Sequence, residues 1–312
     1  MPGKHKKHKQ KHEKKADAYD ADEDTDEVDE VEAPAAGATS GRASADVEAV
    51  SASEFSAFSA KEHFPENFFA CIFAPRRSGK TETVLQFLRE FHKKKRFTHY
   101  FLVSETLSGY EQYIPQTASF TNLDHVPEII SRMQKVATYN SKQKLPSDMI
   151  DCSICLILDD VVGNPKDLQK RGGILQKVAV NGRHITRSDL NKNNEFCTIL
   201  ISQRVTLIPP AIRNNSDIIL ASRLASYQER KTLIENYLSM TSDREGLRRA
   251  RGVFDAVTLS KPFRFIAICT HLVASKSHAE YVFIADANPK EKAVQLFGTK
   301  DDWLAEKADV VF

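Results

Sequence analysis

Nowhere in the 312 residues is there a run of about 18 apolar residues, so no segment reads as a membrane-crossing helix. The first residues also lack the apolar core of a secretory signal, and the expectation is an intracellular protein. Cysteine is sparse, at five, and Cys71, Cys155, Cys197 and Cys269 lie inside apolar, strand-like runs where a thiol acts as a small buried hydrophobe. Cys152-Ser-Ile-Cys155 has the spacing of a metal or redox pair, but strand residues three apart face opposite ways, so neither zinc nor disulfide chemistry is expected there. No basic residue interrupts Asp17 to Glu32, and no apolar periodicity appears before about residue 60. No internal repeat is present.

What the chain does have is arranged in blocks that the formal charge of +2 conceals. Residues 1 to 15 are Lys/His-rich, an acidic block follows, and an Ala/Ser/Gly run reaches Ala60. Such segments bury too little apolar surface to offset chain entropy, so residues 1–60 read as a disordered tail whose loss costs no packing. Its basic block reads either as a nuclear-import or nucleic-acid arm, or as a solvated segment neutralised by its acidic neighbour. His5, His8 and His12 read as adventitious metal contacts at most. Residues 61–290 form the folded domain and 291–312 a terminal appendage.

The folded domain is organised around Phe68-Phe69-Ala70-Cys71-Ile72-Phe73, a strand leading into Ala74-Pro75-Arg76-Arg77-Ser78-Gly79-Lys80-Thr81 and then a helix with Val84, Leu85, Phe87 and Leu88 inward. The pattern is that of a phosphate-binding loop, G-x-x-x-x-G-K-[ST]. In it, backbone N–H groups wrap phosphate oxygens, the lysine reaches the β- and γ-phosphates, and the hydroxyl residue ligates Mg²⁺. A positive helix N-terminus faces the same anion. Residues Pro75 to Thr81 are thus the nucleotide-binding candidates. Ala74 stands where the first glycine belongs, and must reach the turn with φ below zero or carry strain.

Further on, Thr98–Ser104 reads as a second strand after a basic surface turn, Lys93 to Arg96. Tyr110 to Leu123 reads as irregular, and Val126 to about Lys144 as a helix. Ser153 to Asp160 is a strand with continuous apolar character, covered on both faces, and it ends in paired acids. Carboxylates at the carboxyl end of such a strand lie where open α/β sheets place ligands. Asp159 is placed to hold Mg²⁺, directly or through water, alongside Thr81, and Asp160 to orient or deprotonate an attacking water. Leu168 to His184 reads as a short helix around Leu175 to Val180, interrupted by Gly172-Gly173 and ending in Asn181-Gly182-Arg183-His184. The strand Phe196–Gln203 again ends in a polar group, where Gln203 senses a γ-phosphate or holds the water. Leu207 to Pro210 breaks the pattern, and a strand at 217–222, helices at 227–238 and 243–257, and strands at 263–270 and 280–287 complete the domain. Strands alternating with helices give an α/β class with a mostly parallel sheet.

Together the phosphate loop, Leu158-Asp159-Asp160, Gly182-Arg183-His184, Ser202-Gln203 and Pro209…Ile212-Arg213-Asn214 resemble the virion DNA-packaging ATPases of large DNA viruses, of the FtsK/HerA class. The resemblance spans roughly residues 64–287 and rests on the order and spacing of five motifs. It implies a RecA-like P-loop core that binds ATP and Mg²⁺ and assembles as a homo-oligomeric ring. It also implies translocation of double-stranded DNA into a capsid, contact with a capsid protein, and a location in the virion or viral assembly site. By the same resemblance Asp159 and Asp160 are the acidic pair, Gln203 marks the class, and Arg183 or Arg213 is an arginine finger. Lys166, Lys170, Arg171, Arg187 and Lys192 fall in loops that would line a pore. A viral replicative helicase and a non-catalytic nucleotide-binding scaffold are the alternatives.

Overall fold

The run Phe69–Phe73 (β1) is buried at every residue, because alternate side chains feed two separate cores. Phe69, Cys71 and Phe73 join one, and Ala70 and Ile72 the other. The same division holds for His99–Ser104 (β2), Ile154–Asp159 (β4) and Phe196–Ser202 (β5), as expected for strands covered on both faces. In the computed structural model, residues 50–107, 109–161, 172–185, 195–239, 241–273, 277–288 and 297 are described.

Adding Ser119–Phe120 (β3), Ile218–Ala221 (β6), Arg264–Cys269 (β7) and Val282–Asp286 (β8) gives a sheet of order β3-β2-β4-β5-β1-β6-β7-β8. Pairing is parallel from β3 through β6 and antiparallel at β6–β7 and β7–β8. β5 therefore lies between the phosphate-loop strand β1 and the acid-bearing strand β4, with Ser202 beside Phe73 and Ile201 beside Asp159. The helix Lys80–Lys93 covers one face through Val84, Leu85, Phe87, Leu88 and Phe91. Helices Val126–Asn140, Ile174–Ile185 and Arg244–Leu259 cover the other.

Several expectations change. Residues 50 to 60 are part of the folded body. Ser51 caps a short turn at Ala52–Glu54, and Phe55 is 7% exposed. Phe58 donates its N–H to Ile284 O at 2.7 Å, and Ile284 donates to Ser56 O at 2.9 Å, so this segment extends the β8 edge. Two aromatic anchors were diluted by the surrounding Ala and Ser. The stretch after Tyr110 carries β3, parallel to β2, and buries Tyr110 and Ile114. The helix Ile174–Ile185 ends one residue past the expected Asn181-Gly182-Arg183-His184, with Gly182 against Phe196 at the start of β5. Arg96 leaves the basic turn to pair with Glu195 at 2.8 Å and to stack on Phe68, Phe91 and Phe97. Phe297, assigned to the appendage, is fully buried and donates its N–H to Tyr113 O at 2.9 Å. Cys152 and Cys155, by contrast, fall in opposite cores, as expected.

Candidate nucleotide site

β1 ends at the carboxyl edge of the sheet with Ala74, whose N–H still pairs with Ser202 O at 3.1 Å. Ala74 is buried and keeps φ below zero; the left-handed residues of the turn are Arg77 (φ 60°) and Gly79 (φ 89°). The glycine missing from the first loop position is thus unnecessary, and the conformational cost falls on Arg77, on the order of 1 kcal/mol for a non-glycine residue. Gly79 is required twice over. Its φ is one that side chains resist, and a Cβ there would lie 3.2 Å from Ala287 Cβ and 3.4 Å from Phe263 Cδ1. As the N-cap of the helix Lys80–Lys93, Gly79 supplies no capping side chain, so the first helical N–H groups face the loop.

Inside that turn, Lys80 Nζ donates to Ala74 O at 2.8 Å and Pro75 O at 3.0 Å, while Ser78 Oγ donates to Pro75 O at 2.7 Å. Burial lowers the proton affinity of Lys80; the charges of Asp159 and Asp160 oppose that effect, and Arg76 adds to it. Asp159, at the end of β4, holds its proton more tightly than an ordinary aspartate, chiefly because it is buried. Tyr110 donates its hydroxyl to Asp159 Oδ2 at 3.0 Å and lies beside Thr81. One tyrosine therefore holds Asp159 and stands next to Thr81, the two side chains expected to hold Mg²⁺. A threonine hydroxyl and a carboxylate are hard oxygen donors of the kind that ion takes, so the residues fit the metal.

Asp160 adopts a left-handed φ of 53°, rare for a non-glycine residue, and its N–H donates to Ile201 O at 3.1 Å. This turns its carboxylate toward β5, where Gln203 Nε2 donates to Asp160 Oδ2 at 2.7 Å. Beside the loop lies a cleft of about 610 Å³ lined by Arg77, Gly79 to Glu82, Leu85, Gly109 and Glu111 to Tyr113.

The fold thus brings together Pro75 to Thr81, Asp159, Asp160 and Gln203. It does not bring the arginines there. Arg213 closes the short helix Pro210–Arg213 and is 9% exposed. Its guanidinium lies near Tyr237 and Cys71, on the sheet face opposite the phosphate-loop helix, with Nε and Nη1 buried and without a hydrogen-bond partner among the described residues. Arg183 belongs to the end of the helix Ile174–Ile185, beside the start of β5 and so at the edge of the sheet remote from the loop. His184 is exposed at the same helix end. Lys166, Lys170, Arg171, Arg187 and Lys192 lie outside the described residues.

Sequence reasoning missed Tyr110, Gly109 and Phe263. A Cβ on Gly109 (φ 95°) would lie 3.3 Å from Thr81 Cγ2, and Phe263 (φ 57°) lies beside Gly79; both pairs are distant in sequence, and neither residue belongs to a local pattern. A glycine directly before the buried tyrosine was the only signal for the first.

No family model and no curated protein matches the chain. Among solved structures it is similar to the genome-packaging NTPase B204 of Sulfolobus turreted icosahedral virus 2 in complex with ATP-gammaS, at 15% identity over 71% of this chain and 98% of that one, TM-score 0.44. It is also similar to EssC (ATPases 2 and 3) from Geobacillus thermodenitrificans, at 16% identity over 73% of this chain and 42% of that one, TM-score 0.45. A third likeness is to the pCW3 conjugation coupling protein TcpA with ATPgS, at 12% identity over 69% and 66% of the two chains, TM-score 0.40. At these values no functional weight rests on the likenesses. What the chain's own geometry displays is a mostly parallel α/β sheet with a phosphate loop at one carboxyl edge and an acid pair and a glutamine beside it.

Proposed function

We propose that the chain hydrolyses ATP and uses the energy to move double-stranded DNA, packaging a viral genome as part of a homo-oligomeric ring. The observation that carries the hydrolytic reading is the Gln203–Asp160 hydrogen bond of 2.7 Å, made between strand ends that flank the phosphate loop. The DNA reading is supported by the ordered set of five motifs, and the capsid contact by that resemblance alone.

The loop N–H groups and Lys80 bind the β- and γ-phosphates and offset the charge that grows on them. Lys80 is already poised by its carbonyl contacts inside the turn. Thr81 and Asp159 would hold Mg²⁺, which when bound neutralises phosphate charge. Asp160 accepts a proton from the attacking water while the water oxygen bonds the γ-phosphorus and the bond from the γ-phosphorus to the bridging oxygen breaks, giving ADP and phosphate. Gln203 fixes the Asp160 carboxylate through one amide hydrogen and leaves its carbonyl oxygen free to accept from the water. Of the two finger candidates, burial inside its own subunit speaks against Arg213, and Arg183 is taken as the finger that acts on a neighbour.

Steady-state phosphate release with and without duplex DNA tests the proposal, the expected result being Mg²⁺-dependent hydrolysis that duplex DNA stimulates. ATP binding without turnover would identify a scaffold, and displacement of one strand from a partial duplex would identify a helicase.

A further inference from the structure

The outer wall of the phosphate loop forms a second pocket, of about 380 Å³, on the side of the helix Arg244–Leu259. Arg76, Arg77, Arg223 and Lys261 line it, all four exposed. Arg264 also reaches it but is committed to Asp286, at 2.7 and 2.9 Å. Lys261 shares that carboxylate at 3.2 Å, whereas Arg76, Arg77 and Arg223 have no ion-pair partner among the described residues. At the base of the pocket is Ser222, 4% exposed, whose buried hydroxyl has no hydrogen-bond partner. A buried donor left unmet is costly, and here it is ringed by cations. Two residues of the wall, Arg77 (φ 60°) and Phe263 (φ 57°), hold left-handed conformations disfavoured for side chains of their size, and Phe263 packs on Gly79.

We infer that this pocket binds a backbone phosphate of duplex DNA, with Ser222 Oγ donating to a phosphate oxygen and Arg76, Arg77, Arg223 and Lys261 neutralising it. The inference rests on the DNA-translocase reading and assigns that reading a contact point. Free cations beside an unmet hydroxyl suit an anionic oxygen, not a neutral base. Since Arg76 and Arg77 belong to the phosphate loop, a phosphate held on its outer wall would restrain the loop. DNA engagement and nucleotide affinity are then coupled through one turn of chain.

The test is duplex DNA affinity as a function of salt for the full chain, its Ser222→Ala variant and its Arg223→Ala/Lys261→Ala variant, alongside DNA-free ATP hydrolysis and thermal melts. Each lost phosphate contact should reduce the log–log salt slope by about 0.9. The double variant should therefore show a slope shallower by about one contact, about 0.9, with DNA-free hydrolysis unchanged. Ser222→Ala should weaken DNA binding several-fold while its melting temperature holds or rises, a combination that a packing role would not give. Unchanged slope and affinity in both variants, with wild-type DNA binding intact, would overturn this inference alone. Absence of DNA binding by the wild-type chain would overturn it together with the translocase reading. If added inorganic phosphate inhibits hydrolysis by the wild-type chain and not by the variants, while the DNA slope is unchanged, the pocket belongs to a free anion and the inference is overturned.

Discussion

A single hydroxyl, that of Tyr110, donates to Asp159, one of the two side chains expected to hold Mg²⁺, and lies beside the other, Thr81. Partners that orient metal ligands in this way typically affect metal affinity by roughly 10 to 100-fold. Tyr110→Phe should therefore raise the Mg²⁺ concentration needed for half-maximal hydrolysis by about that factor, read from a metal titration of initial rates. A lower melting temperature with an unmoved Mg²⁺ requirement would reduce Tyr110 to packing. Asp159 itself makes a prediction about stability. Burial favours its neutral form, so the folded chain retains this proton to higher pH than the unfolded chain does. Between the two pKa values the native state binds more protons, and stability is lost as pH rises through the folded value. Asp159→Asn should accordingly raise the melting temperature at neutral pH, with the gain vanishing once the pH falls below the ordinary aspartate range. A gain equal at all pH values in thermal melts would mean that charge is not its source.

At the scale of elements, the phosphate loop was legible because its information is local: Gly79, Lys80 and Thr81 are contiguous, and the strand before them is unbroken. The acid pair was legible for the same reason. That Gln203 meets Asp160 was only half legible, since a polar residue at a strand end is visible in sequence but the insertion of β5 between β1 and β4 is not. Ala74 looked like a defect because the loop pattern assigns the glycine to that position, whereas the chain takes its left-handed steps at Arg77 and Gly79. The tail boundary was misread because Phe55 and Phe58 are two residues in an Ala/Ser-rich stretch, and their value lies in contacts with distant residues. Phe55→Ala should therefore cost about 3 kcal/mol, the usual scale for a buried phenylalanine. A chain starting at residue 61 should melt lower than one starting at residue 50. Equal midpoints in denaturant for the two chains would return residues 50 to 60 to the tail.

For the whole molecule, the arrangement of arginines bears on assembly. Arg213 is buried within its own subunit, and Arg183 sits at the sheet edge away from its own loop, so a finger role for Arg183 requires a second copy of the chain. Arg183→Ala should lose about 10³ to 10⁵ in turnover and recover part of it when mixed with Lys80→Ala subunits, because mixed interfaces then pair an intact loop with an intact arginine. Arg213→Ala should keep its hydrolysis. Inactive Arg213→Ala protein that is rescued by Lys80→Ala, with subunit exchange verified by differently tagged chains, would reverse the assignment.

The claim on which the rest depends is that the Gln203–Asp160 pair at the end of β5 and β4 drives hydrolysis of a nucleotide held by the phosphate loop. Phosphate release by wild-type and Asp160→Asn protein, measured beside their affinities for ATP, tests it directly. The expected result is ATP affinity retained and turnover reduced by about 10² to 10⁴, the usual contribution of a general base. Turnover unchanged in Asp160→Asn, at equal nucleotide affinity, would contradict it.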